Sequence, residues 1–295
     1  MEKTKVLITG SKGMLGSVLV NKLSSAYDVK GIDIEDCDIT NESAIAKTIK
    51  DYGPEVILHT AAYTDVDGCQ LNYQKAFAIN TKGTENVARA TGELKACLFY
   101  ISTDYVFDGR KDKPYSETDV PNPINIYGQS KLEGEKIIKS LLSKYFILRT
   151  SWLFGPNGKN FVTTILQKAK LERVLKIVSD QSGSPTYTLD LARAMRVLLS
   201  SIDFGSSTGA YGIYNISNSG HCSWYEFAKE IISLKKLETQ ILPISALESK
   251  RPATRPKMSI LDNSKLKSTF KLELRSWSEA LSHFLRNCVN VNLPV

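Results

Sequence analysis

The chain has 295 residues, 42% of them hydrophobic and 23% charged, which suits one large or two smaller folded domains and excludes a disordered chain. Its net charge of +7 is spread along the sequence without a basic run, so no nucleic-acid footprint is expected. The cysteines (Cys37, Cys69, Cys97, Cys222, Cys288) and histidines (His59, His221, His283) lack disulfide or ligand spacing, so no metal site is expected either.

Val6-Leu7-Ile8-Thr9 reads as a buried strand, and the apolar run is far too short for a signal-peptide core. Met14 to Leu23 carries apolar residues at helical spacing, and Val29 to Asp33 is a second strand. A helix over Ala44 to Tyr52 stops at Gly53-Pro54, and Val56-Ile57-Leu58 is a third strand. One helix is predicted over Asn72 to Leu94, then a strand over Leu98 to Ser102. Asp108 to Asn125 is a long polar loop; a helix follows over Tyr127 to Ser143 and a strand over Phe146 to Arg149. Ser223 with Glu226, and Ser276 with Glu279, form capping boxes before two later helices. No apolar stretch approaches the ~20 residues of a membrane span. The expectation is a cytoplasmic protein without membrane contact.

Alternation of helices with wholly apolar strands predicts an α/β fold, a Rossmann-type doubly wound parallel sheet. A smaller mixed C-terminal domain would bind substrate. The expected division is 1–150 for the cofactor domain, with a return segment near 187–216, and 151–186 plus 217–295 for the substrate domain.

Gly10-Ser11-Lys12-Gly13-Met14-Leu15-Gly16 links the first strand to the first helix. In that context Gly10 permits a tight turn, Gly13 lets the backbone approach a pyrophosphate, and Gly16 lets helix and sheet pack closely. The helix N-terminus offers free N–H groups to the anion. Asp33 ends the second strand, where a carboxylate accepts from both ribose hydroxyls and repels a 2′-phosphate, which favours NADH over NADPH. Ala61-Ala62-Tyr63 ends the third strand, where small side chains let a cofactor lie against the backbone.

Tyr127 and Lys131 are four apart on a predicted helix and share a face. A free phenol titrates near ~10, and a neighbouring ammonium lowers that value toward the working range of a general acid–base. Thr103, at the end of the strand carrying Ser102-Thr103-Asp104, would orient a carbonyl oxygen. Hydride would go to a ketone carbon and the Tyr127 proton to the developing alkoxide, while Lys131 also bonds the nicotinamide ribose.

The glycine spacing and the set Thr103, Tyr127, Lys131 resemble the extended short-chain dehydrogenases, in which Asp38-Ile39 would contact adenine. More narrowly, Ser102-Thr103-Asp104-Tyr105-Val106-Phe107-Asp108-Gly109 resembles the signature of dTDP-4-dehydrorhamnose reductases. So do Thr64-Asp65-Val66-Asp67, Arg149-Thr150-Ser151-Trp152, Asp180 to Thr186 and Arg255-Pro256, in order along nearly the whole chain. The resemblance implies reduction of dTDP-4-dehydro-6-deoxy-L-mannose to dTDP-L-rhamnose by NADH or NADPH. It places Val66, Asp67, Thr103, Asp104 and Tyr105 at the sugar, Trp152 stacked on it, and Arg255 at the diphosphate.

The related 4,6-dehydratases carry Asp-Glu after the threonine, whereas Tyr105 follows Asp104 here. Val18 stands where some family members have a carboxylate for a magnesium-bridged dimer, so structural magnesium and that dimer are not expected, although a homodimer of another kind is admitted. Val66-Asp67-Gly68-Cys69-Gln70 departs from the family's Val-Asp-x-Ala-Glu. Two alternatives stay open. One is another nucleotide-sugar keto-reductase or epimerase. The other is a non-catalytic NAD(P)-binding regulator resembling the β subunit of methionine adenosyltransferase.

Overall fold

In the computed structural model, which describes residues 3–202 and 210–288, the first half of the chain alternates strand and helix. The order is β1 Lys5–Thr9, α1 Met14–Leu23, β2 Asp28–Ile32, α2 Glu42–Tyr52, β3 Val56–His59, α3 Val66–Leu71, α4 Tyr73–Phe77, α5 Thr84–Glu93, β4 Cys97–Thr103, α6 Ile126–Leu141 and β5 Tyr145–Thr150. The strands pair in parallel in the order β2-β1-β3-β4-β5, and a sixth, Gly212–Asn215, joins outside β5. That strand and the helix Thr188–Ser200 fall in the expected return segment; its residues 203–209, and the chain from 289 onward, lie outside the described residues.

Successive strand residues point to opposite faces, and both faces are covered. Val6, Ile8, Leu58 and Phe99 pack with Leu19 of α1 and Leu191 and Met195 of Thr188–Ser200. Leu7, Ile57, Leu98 and Ile147 pack with Ile45 and Ile49 of α2, Val87 of α5 and Ile138 of α6. Strands buried on both sides therefore read as unbroken apolar runs. Each such side chain contributes about 1.5–3 kcal/mol. The architecture is the doubly wound α/β sheet that the alternation predicts.

Periodicity predicts one helix over 72–94, but the chain divides it. A π-helical turn, Ala78–Gly83, separates α4 from α5. Asn80 in that turn accepts from Tyr63 N (2.8 Å) and donates to Tyr63 O and Ser130 Oγ (both 3.0 Å). The widened turn aims Asn80 at the end of β3 and at α6, a tertiary demand that helical periodicity does not record.

A second apolar cluster gathers Phe154, Ile165, Phe227, Ile231, Leu281 and Phe284. It is built by the helices Phe161–Ala169, Trp224–Leu234 and Trp277–Asn287, flanked by parallel Val174–Val178 and Gln240–Ile244. Both capping boxes form as expected; a third, Asn160 with Thr163, escapes a search for Ser or Thr followed by Glu. Among the described residues no helix is long and apolar enough to cross a membrane.

Candidate active site

β1 hands the chain to α1 through Gly10, which sits at φ +67°, a left-handed conformation open to glycine. A Cβ on Gly10 would lie 2.7 Å from Ala61 N, and one on Gly16 would lie 2.1 Å from Gly10 O. No side chain caps α1 at Gly13, so its first amides stay available to an anion. These features are a cradle that fits a dinucleotide pyrophosphate.

Two cavities meet at this turn, sharing Gly10, Gly13, Thr60 and Ala62. The first, of about 700 Å³, is also lined by Asp33, Asp38, Ile39 and Ala61. Asp33 is half-buried; its Oδ2 accepts from Lys12 N (2.8 Å) and its Oδ1 from Ile34 N (2.9 Å). Asp38 Oδ1 accepts from the amide and hydroxyl of Thr40 (both 2.8 Å). Tyr63 does not line this cavity; its backbone is tied to Asn80, and its ring lies under Lys75 Nζ at 4.6 Å.

The second cavity, of about 400 Å³, brings Met14, Leu15 and Gly16 together with Thr103, Tyr127 and Lys131. Thr103 ends β4. Tyr127 lies in the first turn of α6, where Asn125 caps by accepting from Gly128 N (2.8 Å) and donates to Thr254 O (2.8 Å). Lys131 is buried, with Nζ 3.9 Å from the centroid of the Tyr100 ring. Burial pulls its ammonium down to about 7, against the pull of Glu135 upward.

The electrostatics correct one expectation. Burial first, and the Asp104 charge second, hold the Tyr127 phenol above its ordinary value, while the Thr103 hydroxyl works the other way. Lys131 does not make this phenol more acidic than usual. A phenol that keeps its proton at neutral pH is suited to the reductive direction, in which it must donate one.

The same cavity is also lined by Val66, Asp104, Tyr105 and Trp152. Trp152 adopts φ +48° and stacks parallel on Trp224, with centroids 3.5 Å apart and planes 7° apart. Non-glycine residues in that region are uncommon and concentrate at functional sites. Tyr105 meets Tyr127 edge-on at 6.0 Å. Asp104 lines the cavity but is only 2% exposed, and its Oδ1 accepts from Thr103 Oγ1 at 3.1 Å.

The structure joins Asp67 and Arg255 to each other. Nη1 and Nη2 of Arg255 donate to Oδ1 and Oδ2 of Asp67 at 3.0 and 2.9 Å, and Arg251 lies 3.6 Å away. Neither Asp67 nor Arg255 is on the wall of the second cavity; Arg255 lines another of about 890 Å³ with Arg110, His221 and Lys257. Gln70, the departure from the family's glutamate, accepts from Ile126 N at the start of α6 (3.2 Å).

Sequence reasoning missed Trp224, whose place directly after a capping serine was its only signal, and Arg251. It also missed Glu135, which continues the face of α6 one turn beyond Lys131 and grips the buried Arg149. Among the described residues, no group of three or more His, Cys, Asp or Glu side chains is placed to hold a metal ion.

A family model, the RmlD substrate binding domain, matches residues 4–290. The chain is 38% identical over 287 residues to a dTDP-4-dehydrorhamnose reductase of Aggregatibacter actinomycetemcomitans, covering 95% of this chain and 97% of that one. It is 39% identical over 284 residues to the spore coat polysaccharide biosynthesis protein SpsK of Bacillus subtilis (strain 168), covering 96% and 97%. Among solved structures it resembles the dTDP-4-dehydrorhamnose reductase of Bacillus anthracis str. Ames in complex with NADP, at 42% identity and a TM-score of 0.91 over 97% of this chain and 99% of that one.

Proposed function

The chain belongs to the dTDP-4-dehydrorhamnose reductase family, and from that premise we propose that it reduces the 4-keto group of dTDP-4-dehydro-6-deoxy-L-mannose, giving dTDP-L-rhamnose. The observation that carries this reading is the meeting of Thr103, Tyr127 and Lys131 on one cavity wall beside the glycine turn. A nicotinamide cofactor supplies the hydride when bound. Gly10, Gly13 and Gly16 hold its pyrophosphate, with Met14 and Leu15 beside them, and Asp33, Asp38, Ile39, Ala61 and Ala62 receive the adenosine half.

The protein's own work is orientation and proton delivery. Thr103 fixes the carbonyl oxygen, and Tyr127 passes its phenolic proton to that oxygen as negative charge develops there. Lys131, desolvated beneath the same surface, bonds the ribose. Val66, Tyr105 and the Trp152–Trp224 stack bound the sugar. Arg255 and Arg251 meet the diphosphate near Asp67, with the planar guanidinium geometry that phosphate oxygens favour.

The proposal assigns residues 1–150 and 187–216 to the cofactor domain and the rest to the substrate domain, in a cytoplasmic enzyme. It does not include the magnesium-bridged dimer, because apolar Val18 stands where that dimer's carboxylate would be. The test is NADH oxidation with dTDP-4-dehydro-6-deoxy-L-mannose and analysis of carbon 4 in the product. Stoichiometric dTDP-L-rhamnose is expected. Tight NADH binding without turnover at saturating sugar would instead mark a regulator, and the opposite configuration at carbon 4 a different reductase.

NADH is the proposed preferred cofactor. The Asp33 carboxylate is held facing the adenosine cavity by two backbone amides, where it accepts from ribose hydroxyls and repels a 2′-phosphate. Asp33→Ala is expected to weaken NADH about tenfold, the effect of roughly 1.4 kcal/mol in lost hydrogen bonding, and to leave NADPH unchanged or tighter. Fluorescence titration of both cofactors measures this; equal losses would remove Asp33 from the ribose.

A further inference from the structure

Thr103 is asked to donate a hydrogen bond to the substrate oxygen, yet its hydroxyl is already engaged. Thr103 Oγ1 accepts from Tyr105 N at 3.1 Å and donates to Asp104 Oδ1 at 3.1 Å, and the hydroxyl works on the Tyr127 phenol, pulling its pKa down against burial. A threonine hydroxyl has one proton and two lone pairs.

If Asp104 is ionised it can only accept. The single Thr103 proton then points at Asp104 Oδ1, and none is left for a substrate carbonyl. The remaining Thr103 lone pair draws the Tyr127 proton away from the substrate as well. If Asp104 carries a proton on Oδ1, the direction reverses. Asp104 donates to Thr103, Tyr105 N–H takes the second lone pair, and Thr103 has a free proton. Tyr127 then finds no acceptor on Thr103, so both hydroxyls aim at the substrate oxygen.

We propose that Asp104 is a positioning residue that works as the neutral acid, its proton turning Thr103 and Tyr127 together into donors toward the reacting carbonyl. The inference deepens the reductase reading of this site and rests on it. Its geometry is a carboxyl sealed at 2% exposure that meets no ion-pair partner among the described residues. Thr103 Oγ1 meets its Oδ1 at 3.1 Å, while Oδ2 is buried with no hydrogen-bond partner among the described residues. The Ser259 and Thr103 hydroxyls and the backbone amides of Asp104 and Tyr105 favour its charged form, and its charge in turn raises the Tyr105 and Tyr127 phenols. The cations Arg255 and Arg251 act on Tyr105, and Lys131 lies one turn farther along α6 beside Glu135. Burial pushes the Asp104 carboxyl up to about 7, against the Ser259 and Thr103 hydroxyls, so the neutral form is present at physiological pH.

The sign follows. A group with a raised pKa is neutral below it, so donation by Thr103 is intact at pH 6 and fades as pH rises through about 7. The wild type should lose kcat/KM on the alkaline side by about 10²-fold, the usual effect of one lost donor at a developing oxyanion. Lys131 titrates in the same range, so the wild-type profile alone does not assign the limb.

Asp104→Asn separates the two. Its amide N–H would donate permanently to Thr103 while its oxygen takes the place of Oδ2, which has no hydrogen-bond partner among the described residues. The expected result is a kcat/KM at pH 6 within about tenfold of the wild type, with the alkaline limb moved upward or gone. Loss beyond about 100-fold at pH 6 with NADH binding intact, or a limb left in place, would overturn the proposal. Ser259→Ala gives a second reading, since it removes a donor that favours the carboxylate. The limb should shift to higher pH, and a stationary limb counts against Asp104. A wild-type chain that does not turn over the keto-sugar defeats the reductase reading itself, a result distinct from either variant's.

Discussion

Tyr127→Phe is expected to lower kcat/KM for the keto-sugar by about 10³-fold, within the range for removal of a positioned general acid. NADH affinity should stay within about twofold, because the lost oxygen serves the reacting carbonyl. The substitution keeps the ring that meets Tyr105 edge-on at 6.0 Å and deletes only the hydroxyl. Thr103 is a far weaker acid than a phenol, and Lys131 is committed to the ribose in the proposed mechanism. Steady-state kinetics together with cofactor fluorescence titration separate the two effects. A variant turning over near the wild-type rate would move the acid elsewhere and leave Tyr127 a wall residue.

The parts of this site that were legible are those written in local spacing. Gly10, Gly13 and Gly16 lie between one strand and one helix, and Tyr127 and Lys131 are one helical turn apart; both patterns are fixed by short-range geometry. The strands were legible because burial on both faces leaves an unbroken apolar run. What sequence could not supply depends on partners distant in the chain. Asp67 binds Arg255 188 positions away, Trp152 leans on Trp224, and the π-turn exists because Asn80 reaches Tyr63 and Ser130. The direction of the Tyr127 shift belongs to the same class. Helical spacing placed a cation nearby, but burial depends on everything packed around the ring, including Asp104, and it outweighs that cation. Glu135 follows Lys131 at the same interval that Lys131 follows Tyr127, so the face of α6 extends legibly one turn further.

Glu135→Ala is expected to cost the fold about 3–5 kcal/mol, the loss that follows when one member of a buried ion pair is removed. Both side chains of the pair are 2% exposed. Arg149 donates from Nη2 to Glu135 Oε2 at 2.7 Å and from Nε to Oε1 at 3.0 Å, and Ser102 Oγ donates to Oε1 at 2.5 Å. The Arg149 guanidinium also lies 5.1 Å from the Phe107 ring centroid, and its Nη1 has no hydrogen-bond partner among the described residues. Without Glu135 the guanidinium would be charged, buried and held only by a ring face, because arginine does not relieve the strain by giving up its proton. Glu135→Met with Arg149→Met tests the cause. Replacing both charges with apolar groups of similar length should recover most of the lost stability, since the penalty belongs to the unpaired charge rather than to the missing contact. Urea denaturation of the wild type, single and double variants measures both steps. A single variant costing under about 1 kcal/mol would mean the pair acts like a solvated surface bridge. The double variant should still differ from the wild type in its chemistry. Glu135 raises the pKa of Lys131 against burial, so without it the ammonium is lost at lower pH. A stable double variant whose activity declines from a lower pH than the wild type's would separate what this pair does for the fold from what Glu135 does for the site.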